Sequence, residues 1–152
     1  MRAALFICAM SLAAPLAAGD RLVVETREGA ILGQLAFDAG QEVCLSWSHS
    51  VTGGAVSDCF ENRAGHLTLT RSYLHDFAAG LGEVAGRGRL RSAAGGGYWI
   101  EDIDEVLPDN ALFLRVGTAS VGHQLRGAQA GLDLSARAAG QRVTMRLVPK
   151  AP

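Results

Sequence analysis

Hydrophobic and polar residues alternate along most of the chain after about residue 20. A two-residue period is typical of β-strands that bury one face, because successive side chains of a strand point to opposite sides. Apolar residues repeating every three or four positions, which would indicate helices, are scarce. The alternation predicts strands at residues 21–26, 30–37, 41–51, 55–61, 66–73, 98–103, 111–116, 120–126, 131–135 and 142–148.

Glycine-bearing turns separate these predicted strands. Many short strands of this kind favour an all-β fold, either a small antiparallel sandwich or a barrel. The alternation stops over residues 74–97, which are rich in Gly, Ala and Arg. An irregular segment of that length inside a compact domain is usually functional. We therefore expect one long Gly-rich loop, from His75 to Gly97, beside the binding site.

The first residues have the order of a secretory signal peptide. Arg2 supplies a positive charge, residues 3–18 form an apolar run, and small residues follow at 17–19. The run is short for a membrane span, which needs about 20 residues. The sequence therefore predicts a signal peptide at 1–19 and a single β-rich domain at 20–152. It also predicts a periplasmic or otherwise exported location, with no transmembrane segment after signal cleavage.

Composition narrows the class of partner and of chemistry. The formal net charge is −1, whereas nucleic-acid-binding domains usually carry a strong basic excess, so no nucleic acid is expected as a partner. Apolar residues make up 49% of the chain, which favours a folded domain over a disordered one. Neither a cofactor motif nor the histidine spacing of common metal sites occurs, and we expect no cofactor and no metal.

Two cysteines, Cys44 and Cys59, lie in the predicted domain, because Cys8 falls inside the signal peptide. An even number of cysteines in an oxidising compartment favours a disulfide. The geometry of the hairpin between them favours free thiols. If residues 53–54 form a two-residue turn, Cys59 faces Ser48 and lies about 13 Å along the strands from Cys44. Both interpretations stay open from the sequence alone, and we prefer the Cys44–Cys59 disulfide.

The same two-residue turn would place His49 opposite Asp58, and it would match Trp47 with Phe60. We prefer this register because strand pairing follows the hydrophobic pattern. A carboxylate beside an imidazole orients the ring and raises its pKa. The pair would be either part of a binding site or a structural pair at the rim of the core.

Several short motifs stand in a recognisable order along the chain. They are HSV at 49–51 with Val56, Asp58 and Phe60, then FAAGLG at 77–82, GYWI at 97–100, and RVG at 115–117 with His123 and Leu125. Together they resemble a small exported bacterial family of unknown function, whose members are often encoded beside TRAP-type transporters of the TAXI class. The resemblance implies a transporter-associated exported protein.

Polar residues that interrupt apolar strands complete the list of candidates. Arg115 lies on such a strand, and a buried arginine needs a partner. That partner would be one of the aspartates at 58, 102 and 104, or a carboxylate bound by the fork of guanidinium donors. We expect a cluster at one end of the β-structure that binds an anion or a partner's acidic group. The candidate binding residues are His49, Ser50, Asp58, Gly80, Arg115 and His123.

The sequence thus favours an exported, non-enzymatic binding or accessory protein of a TRAP-type (TAXI) solute uptake system. Its partner would be a transporter component or a small anionic solute. The alternative is a hydrolase or a metal-dependent enzyme that uses His49, Asp58 and His123. Adjacent residues of a strand point to opposite faces, so Ser50 and His49 should diverge, and no G-x-S-x-G elbow presents a nucleophile.

Overall fold

The structure is a computed structural model that describes residues 19–76 and 86–151. Its first eight strands are β1 (Arg21–Thr26), β2 (Ile31–Ala36), β3 (Glu42–Ser48), β4 (Ala55–Arg63), β5 (His66–Leu74), β6 (Arg89–Ser92), β7 (Tyr98–Glu101) and β8 (Glu105–Val106). The remaining elements are a 3-10 turn (Pro108–Asn110), β9 (Ala111–Arg115), β10 (Gln124–Gly127), β11 (Gly131–Asp133), helix α1 (Leu134–Ala138) and β12 (Arg142–Val148).

These strands form two antiparallel sheets. The smaller sheet has the order β2-β1-β12-β9, and the larger sheet has the order β11-β10-β3-β4-β5-β7-β6 with β8 beside β5. Neither sheet closes on itself within the part of the chain that the structure describes. The predicted all-β class is therefore confirmed as a sandwich-like fold.

The core lies between the two sheets and follows the predicted alternation. In β12, Val143, Met145 and Leu147 are buried, whereas the residues between them are not. From the larger sheet, Leu45 and Phe60 meet them in one cluster. Each large apolar side chain buried in this way contributes about 1.5–3 kcal/mol relative to exposure. The alternate residues of β12, among them Arg142, Thr144 and Arg146, consequently face away from the core.

A short strand lies inside the segment that was expected to be one long loop. β6 pairs with β7 through a turn at residues 93–97, with Arg89 opposite Glu101. Gly97 has a φ of +75°, and a Cβ there would lie 2.5 Å from the Tyr73 hydroxyl, so only glycine fits. All four residues of β6 are exposed, so the strand shows no alternation that a sequence pattern could reveal.

The strand predicted at 131–135 is also shorter than expected. β11 ends at Asp133, whose carboxylate accepts a hydrogen bond of 2.8 Å from the Ala136 N–H and caps α1. An aspartate in this position satisfies one of the free N–H groups at a helix start. A helix of five residues shows no recognisable helical period, and the pattern therefore missed it.

The register predicted for the hairpin between β3 and β4 is wrong. Ser48 pairs with Ala55 and Leu45 pairs with Asp58, so the connection is a six-residue loop, 49–54, rather than a two-residue turn. The His49 backbone closes this loop, because its N–H donates to the Gly54 carbonyl and its carbonyl accepts from the Gly53 N–H. Residues that continue the apolar alternation in the sequence thus belong to a loop in the structure.

The corrected register places Cys44 directly opposite Cys59, and the two form a disulfide. The predicted disulfide is therefore confirmed, and the apparent conflict came from the wrong turn. The bond crosses neighbouring strands on the outer face of the larger sheet. Closing a loop of this length stabilises a fold by about 3 kcal/mol in the chain-entropy view.

The predicted signal peptide, apart from Gly19, lies outside the described residues. Within 19–76 and 86–151, no helix has the length and apolar character needed to cross a membrane.

Candidate functional site

His49 organises the loop that contains it. Its Nδ1 lies 3.3 Å from the Thr52 N–H and 3.4 Å from the Thr52 hydroxyl, and Nδ1 therefore accepts from the loop itself. Ser50, the next residue, is exposed at the loop surface. The predicted pairing of His49 with Asp58 does not occur, because the register sets Leu45 opposite Asp58. The imidazole is thus a structural element of this loop.

Asp58 lies on the inner face of β4, next to Ser72 of β5. The Ser72 hydroxyl donates a hydrogen bond of 2.6 Å to the carboxylate. Burial raises the pKa of Asp58 above its ordinary value, and the Ser72 hydrogen bond and the charge of Arg87 oppose this effect only in part. The carboxylate is therefore easier to protonate than an exposed aspartate, but no imidazole is hydrogen-bonded to it.

His123 joins the larger sheet to the loop that follows β9. Its Nδ1 accepts a hydrogen bond of 2.9 Å from the Gly117 N–H, and its ring stacks on Trp47 with centroids 5.6 Å apart. Burial lowers the pKa of His123, so the neutral ring is favoured. The Ser135 hydroxyl bridges the same junction by donating to the Gly117 carbonyl and accepting from the His123 N–H.

The predicted cluster of His49, Asp58, Arg115 and His123 is not formed by hydrogen bonds or ion pairs. The first two residues and His123 each bond to other groups, and Arg115 lies exposed on the outer face of the smaller sheet. Of the three aspartates expected to pair with Arg115, Asp102 binds Arg89 and Asp104 binds Arg63, while Asp58 bonds to Ser72. Gly80 lies outside the described residues.

Arg115 instead belongs to a different group of residues. Four arginines, which we call the arginine face, line one cleft together with the exposed side chain of Phe113: Arg27, Arg115, Arg142 and Arg146. They come from β9, β12 and the turn between β1 and β2. Phe113 itself is 72% exposed, an unusual position for a large aromatic residue.

The pairing of the strands explains why these arginines meet. β12 lies between β1 and β9, and its register sets Arg142 directly opposite Arg115 and Thr144 opposite Phe113. Arg146 forms a 2.9 Å ion pair with Glu25 of β1. Among the described residues, Arg27, Arg115 and Arg142 have no carboxylate partner. Like charges directly opposite each other on neighbouring strands are destabilising.

An open cleft lies over this face. Its volume is about 640 Å³, and Glu25 is the one acidic residue among those that line it, against the four arginines. Planar guanidinium groups offer several N–H donors and match the geometry of carboxylates and phosphates. The cleft is therefore suited to hold a negatively charged group beside an aromatic ring.

Sequence reasoning reached only Arg115 of this site. The arginines of β12 read as a solvated strand face, because they alternate with the buried residues of the same strand. Whether these arginines form a site depends on which strands lie beside β12, and no local sequence pattern contains that information. One signal was present, namely an arginine and a phenylalanine two positions apart on β9, which places both on one face.

The outer face of the larger sheet carries a second cleft, of about 470 Å³. Ser46 and Ser57, whose hydroxyl groups bond to each other, are among its lining residues.

One group of potential metal ligands lies on the same sheet, where Glu42 approaches the sulfurs of Cys44 and Cys59. Both sulfurs are engaged in the disulfide, so this group offers a metal ion only a carboxylate. No other such group of potential ligands occurs in the described ranges.

Comparison with known proteins adds one assignment. The chain matches no curated protein and no solved structure. Residues 43–134, more than half of the chain and spanning β3 to β11, match the domain of unknown function DUF1850, and the protein belongs to that family.

Proposed function

We propose that this protein is an exported, non-enzymatic binding protein that holds an acidic group on the arginine face, and that it serves a TRAP-type (TAXI) solute uptake system. The acidic group belongs to a component of that system or to a small anionic solute. One observation carries the proposal: Arg27, Arg115 and Arg142 line one cleft with exposed Phe113, and none of the three has a carboxylate partner among the described residues.

Stability alone does not account for this arrangement. Exposed ion pairs contribute only about 0–1 kcal/mol, and Arg115 opposite Arg142 brings repulsion instead of attraction. A bound anion removes that repulsion and receives charge-assisted hydrogen bonds from both guanidinium groups. Arginine and aromatic residues are also enriched where proteins bind partners. Binding therefore explains a feature that folding does not.

The alternative of a hydrolase or a metal-dependent enzyme draws no support from the geometry. Nδ1 of His49 and Nδ1 of His123 both accept hydrogen bonds from nearby main-chain N–H groups. A general base must reach the proton that it removes, and a triad needs its base oriented by a third group. No such relay links His49 or His123 to Asp58.

Export is supported by the signal-peptide pattern at 1–19 and by the disulfide, since such bonds persist in oxidising compartments. The link to the transporter rests on the resemblance of the sequence motifs. Co-purification of the tagged protein from the cell envelope, followed by mass spectrometry, tests that link. Recovery of TRAP-type components would support the link, and their consistent absence would overturn it.

Citrate is a suitable probe for the arginine face, because it carries three carboxylates, which guanidinium groups bind through charge-assisted hydrogen bonds. Isothermal titration calorimetry at low ionic strength should show binding to the wild-type protein. The double variant Arg115→Gln/Arg142→Gln should bind citrate at least about tenfold more weakly, because it loses charge-assisted hydrogen bonds. Binding should also weaken as salt is added.

The matched control is Arg126→Gln/Arg137→Gln. It removes the same charge from two exposed arginines whose guanidinium groups bond to Gln124 and to the Leu32 carbonyl. Its citrate affinity should stay within about twofold of the wild-type value, because neither arginine lines the cleft. If both double variants lost the same citrate affinity, binding would depend only on the net charge of the protein, and the proposed site would be rejected.

A further inference from the structure

The strand that carries Phe113 and Arg115 has a free side. β9 is the outermost strand of the smaller sheet and pairs with β12 alone. The Val116 N–H, just beyond the strand, bonds to Gln141 beside β12. In an antiparallel pair the hydrogen-bonding direction alternates between successive residues. The N–H and C=O groups of Phe113 and Arg115 therefore point away from the sheet, and they have no backbone partner among the described residues.

An open strand edge of this kind is a template for another strand. The residues of β9 offer two different rows to an incoming chain. On the outer side lie Phe113 and Arg115, with Arg142 behind them. On the inner side lie Leu112 and Leu114, which are partly buried and pack against the core. The added strand that fits both rows alternates acidic and apolar residues.

Charge argues against a second copy of this chain on the same edge. Two β9 strands paired antiparallel about Phe113 would bring two arginine faces onto one continuous surface. That arrangement adds like charges to a face where Arg115 and Arg142 already oppose each other. An acidic segment, in contrast, neutralises the surplus that the arginine face carries, so electrostatic complementarity favours it.

We infer that β9 binds an extended acidic segment of a partner protein as an additional antiparallel strand. Main-chain hydrogen bonds to Phe113 and Arg115 supply the pairing, and acidic side chains at every second position meet the arginine face. Apolar side chains at the positions between continue the row of Leu112 and Leu114. This mode of recognition uses backbone bonds for affinity and alternate side chains for specificity. The inference rests on the proposed function and adds the form of the partner.

The test uses the acetylated and amidated peptide Thr-Glu-Val-Glu-Val-Glu-Thr as probe. In an antiparallel pair, residues opposite Phe113 and Arg115 direct their own N–H groups towards β9. Methylation of the glutamate nitrogens should therefore weaken binding by about tenfold or more, since buried hydrogen bonds are lost. Methylation of the valine nitrogens, whose N–H groups point to solvent, should change the affinity less than about threefold, well short of the cost of a lost hydrogen bond.

The outcomes separate this inference from the proposed function. If both methylated peptides bind like the parent peptide, while citrate binding still depends on Arg115 and Arg142, strand addition is wrong and the anion site stands. If neither peptide nor citrate depends on those arginines, both proposals fail. A stable dimer whose β9 amides are already protected from hydrogen exchange without peptide would also overturn the inference, because a second copy would then occupy the edge.

Discussion

Arginines lie on the outer faces of both sheets, but the two faces differ in whether carboxylates pair with them. On the larger sheet, three exposed arginines pair with carboxylates: Arg71 with Glu42, Arg91 with Glu101, and Arg89 with Asp102. Arg126 of the same sheet bonds to Gln124 instead. On the smaller sheet, three of the four arginines of the arginine face have no carboxylate partner in the described part of the chain. An arginine stripe is therefore uninformative until its partners are known. Most arginines of the larger face are thus compensated by carboxylates of the chain, whereas most of those on the arginine face are not.

The disulfide gives the largest expected effect and tests whether the larger sheet depends on internal links. The double variant Cys44→Ala/Cys59→Ala should lower the free energy of unfolding by about 3 kcal/mol. Urea denaturation followed by tryptophan fluorescence measures the loss. Citrate binding at the arginine face should persist below the denaturation midpoint, because that face belongs to the other sheet. Loss of binding in the folded variant would show that the two faces are not independent.

His123→Phe tests the junction between the two sheets. Phenylalanine keeps an aromatic ring against Trp47 but removes the acceptor of the Gly117 N–H. A donor left without its partner costs about 1–3 kcal/mol, and the variant should be destabilised by that amount. His123→Asn, which can still accept through its side-chain oxygen, should lose less. Equal stabilities of the wild-type protein and His123→Phe would show that this hydrogen bond has no net value.

The lowered pKa of His123 gives the same junction a dependence on pH. The unfolded chain binds a proton near the ordinary histidine pKa of about 6.5, whereas the folded chain binds it only at lower pH. The stability from the neutral ring is thus fully present above about pH 6.5 and is lost as the pH falls through the folded pKa. Chemical denaturation at pH 7.5 and pH 5 should show a smaller loss for His123→Phe than for the wild-type protein.

Arg71→Thr probes a matched arginine of the larger face. Its guanidinium makes two hydrogen bonds to Glu42, of 3.0 and 2.6 Å, and lies 4.6 Å from the centroid of Trp99. An exposed ion pair and a cation–π contact together are worth about 1 kcal/mol, which the variant should lose. Urea denaturation at low and high salt separates the two contributions, since salt screens the ion pair more strongly. If Arg71→Thr were as stable as the wild-type protein, the contacts of Arg71 with Glu42 and Trp99 would contribute nothing measurable to stability.

Alternation predicted the sandwich because most strands bury one face, as in β12, whose bounds matched the prediction. It failed where burial does not follow the pattern. Val51 continues the apolar alternation of β3 but is 86% exposed in a loop that His49 closes by hydrogen bonds. The misread loop then paired His49 with Asp58 and set Cys44 too far from Cys59 for the disulfide that the cysteine count favours.

The site escaped prediction for a different reason. The sequence singles out Arg115 because it interrupts an apolar strand, and it predicts a buried guanidinium whose partner is either an aspartate of the chain or a bound carboxylate. It is exposed, because β9 is an edge strand with an outer face. Arg142 and Arg146 share a cleft with Arg27 and Arg115 only because β9 and the turn after β1 lie beside β12. That arrangement is a property of the topology. Part of the arginine face also lies outside residues 43–134, the range that matches the DUF1850 family.

The smallest expected effect is also the most direct test of the contrast between the faces. Arg142→Glu places a carboxylate opposite Arg115 and turns a repulsive cross-strand pair into an attractive one. The variant should be more stable than the wild-type protein by about 0.5 kcal/mol, and it should bind citrate more weakly. The matched change on the larger sheet, Arg91→Glu, breaks the pair with Glu101 and should destabilise by a similar amount. Opposite signs from the same substitution, measured by urea denaturation at low salt, are expected only if one face is compensated and the other is not. Loss of stability in both variants would show that Arg142 has a favourable partner within the chain, and the case for an external anion would then collapse.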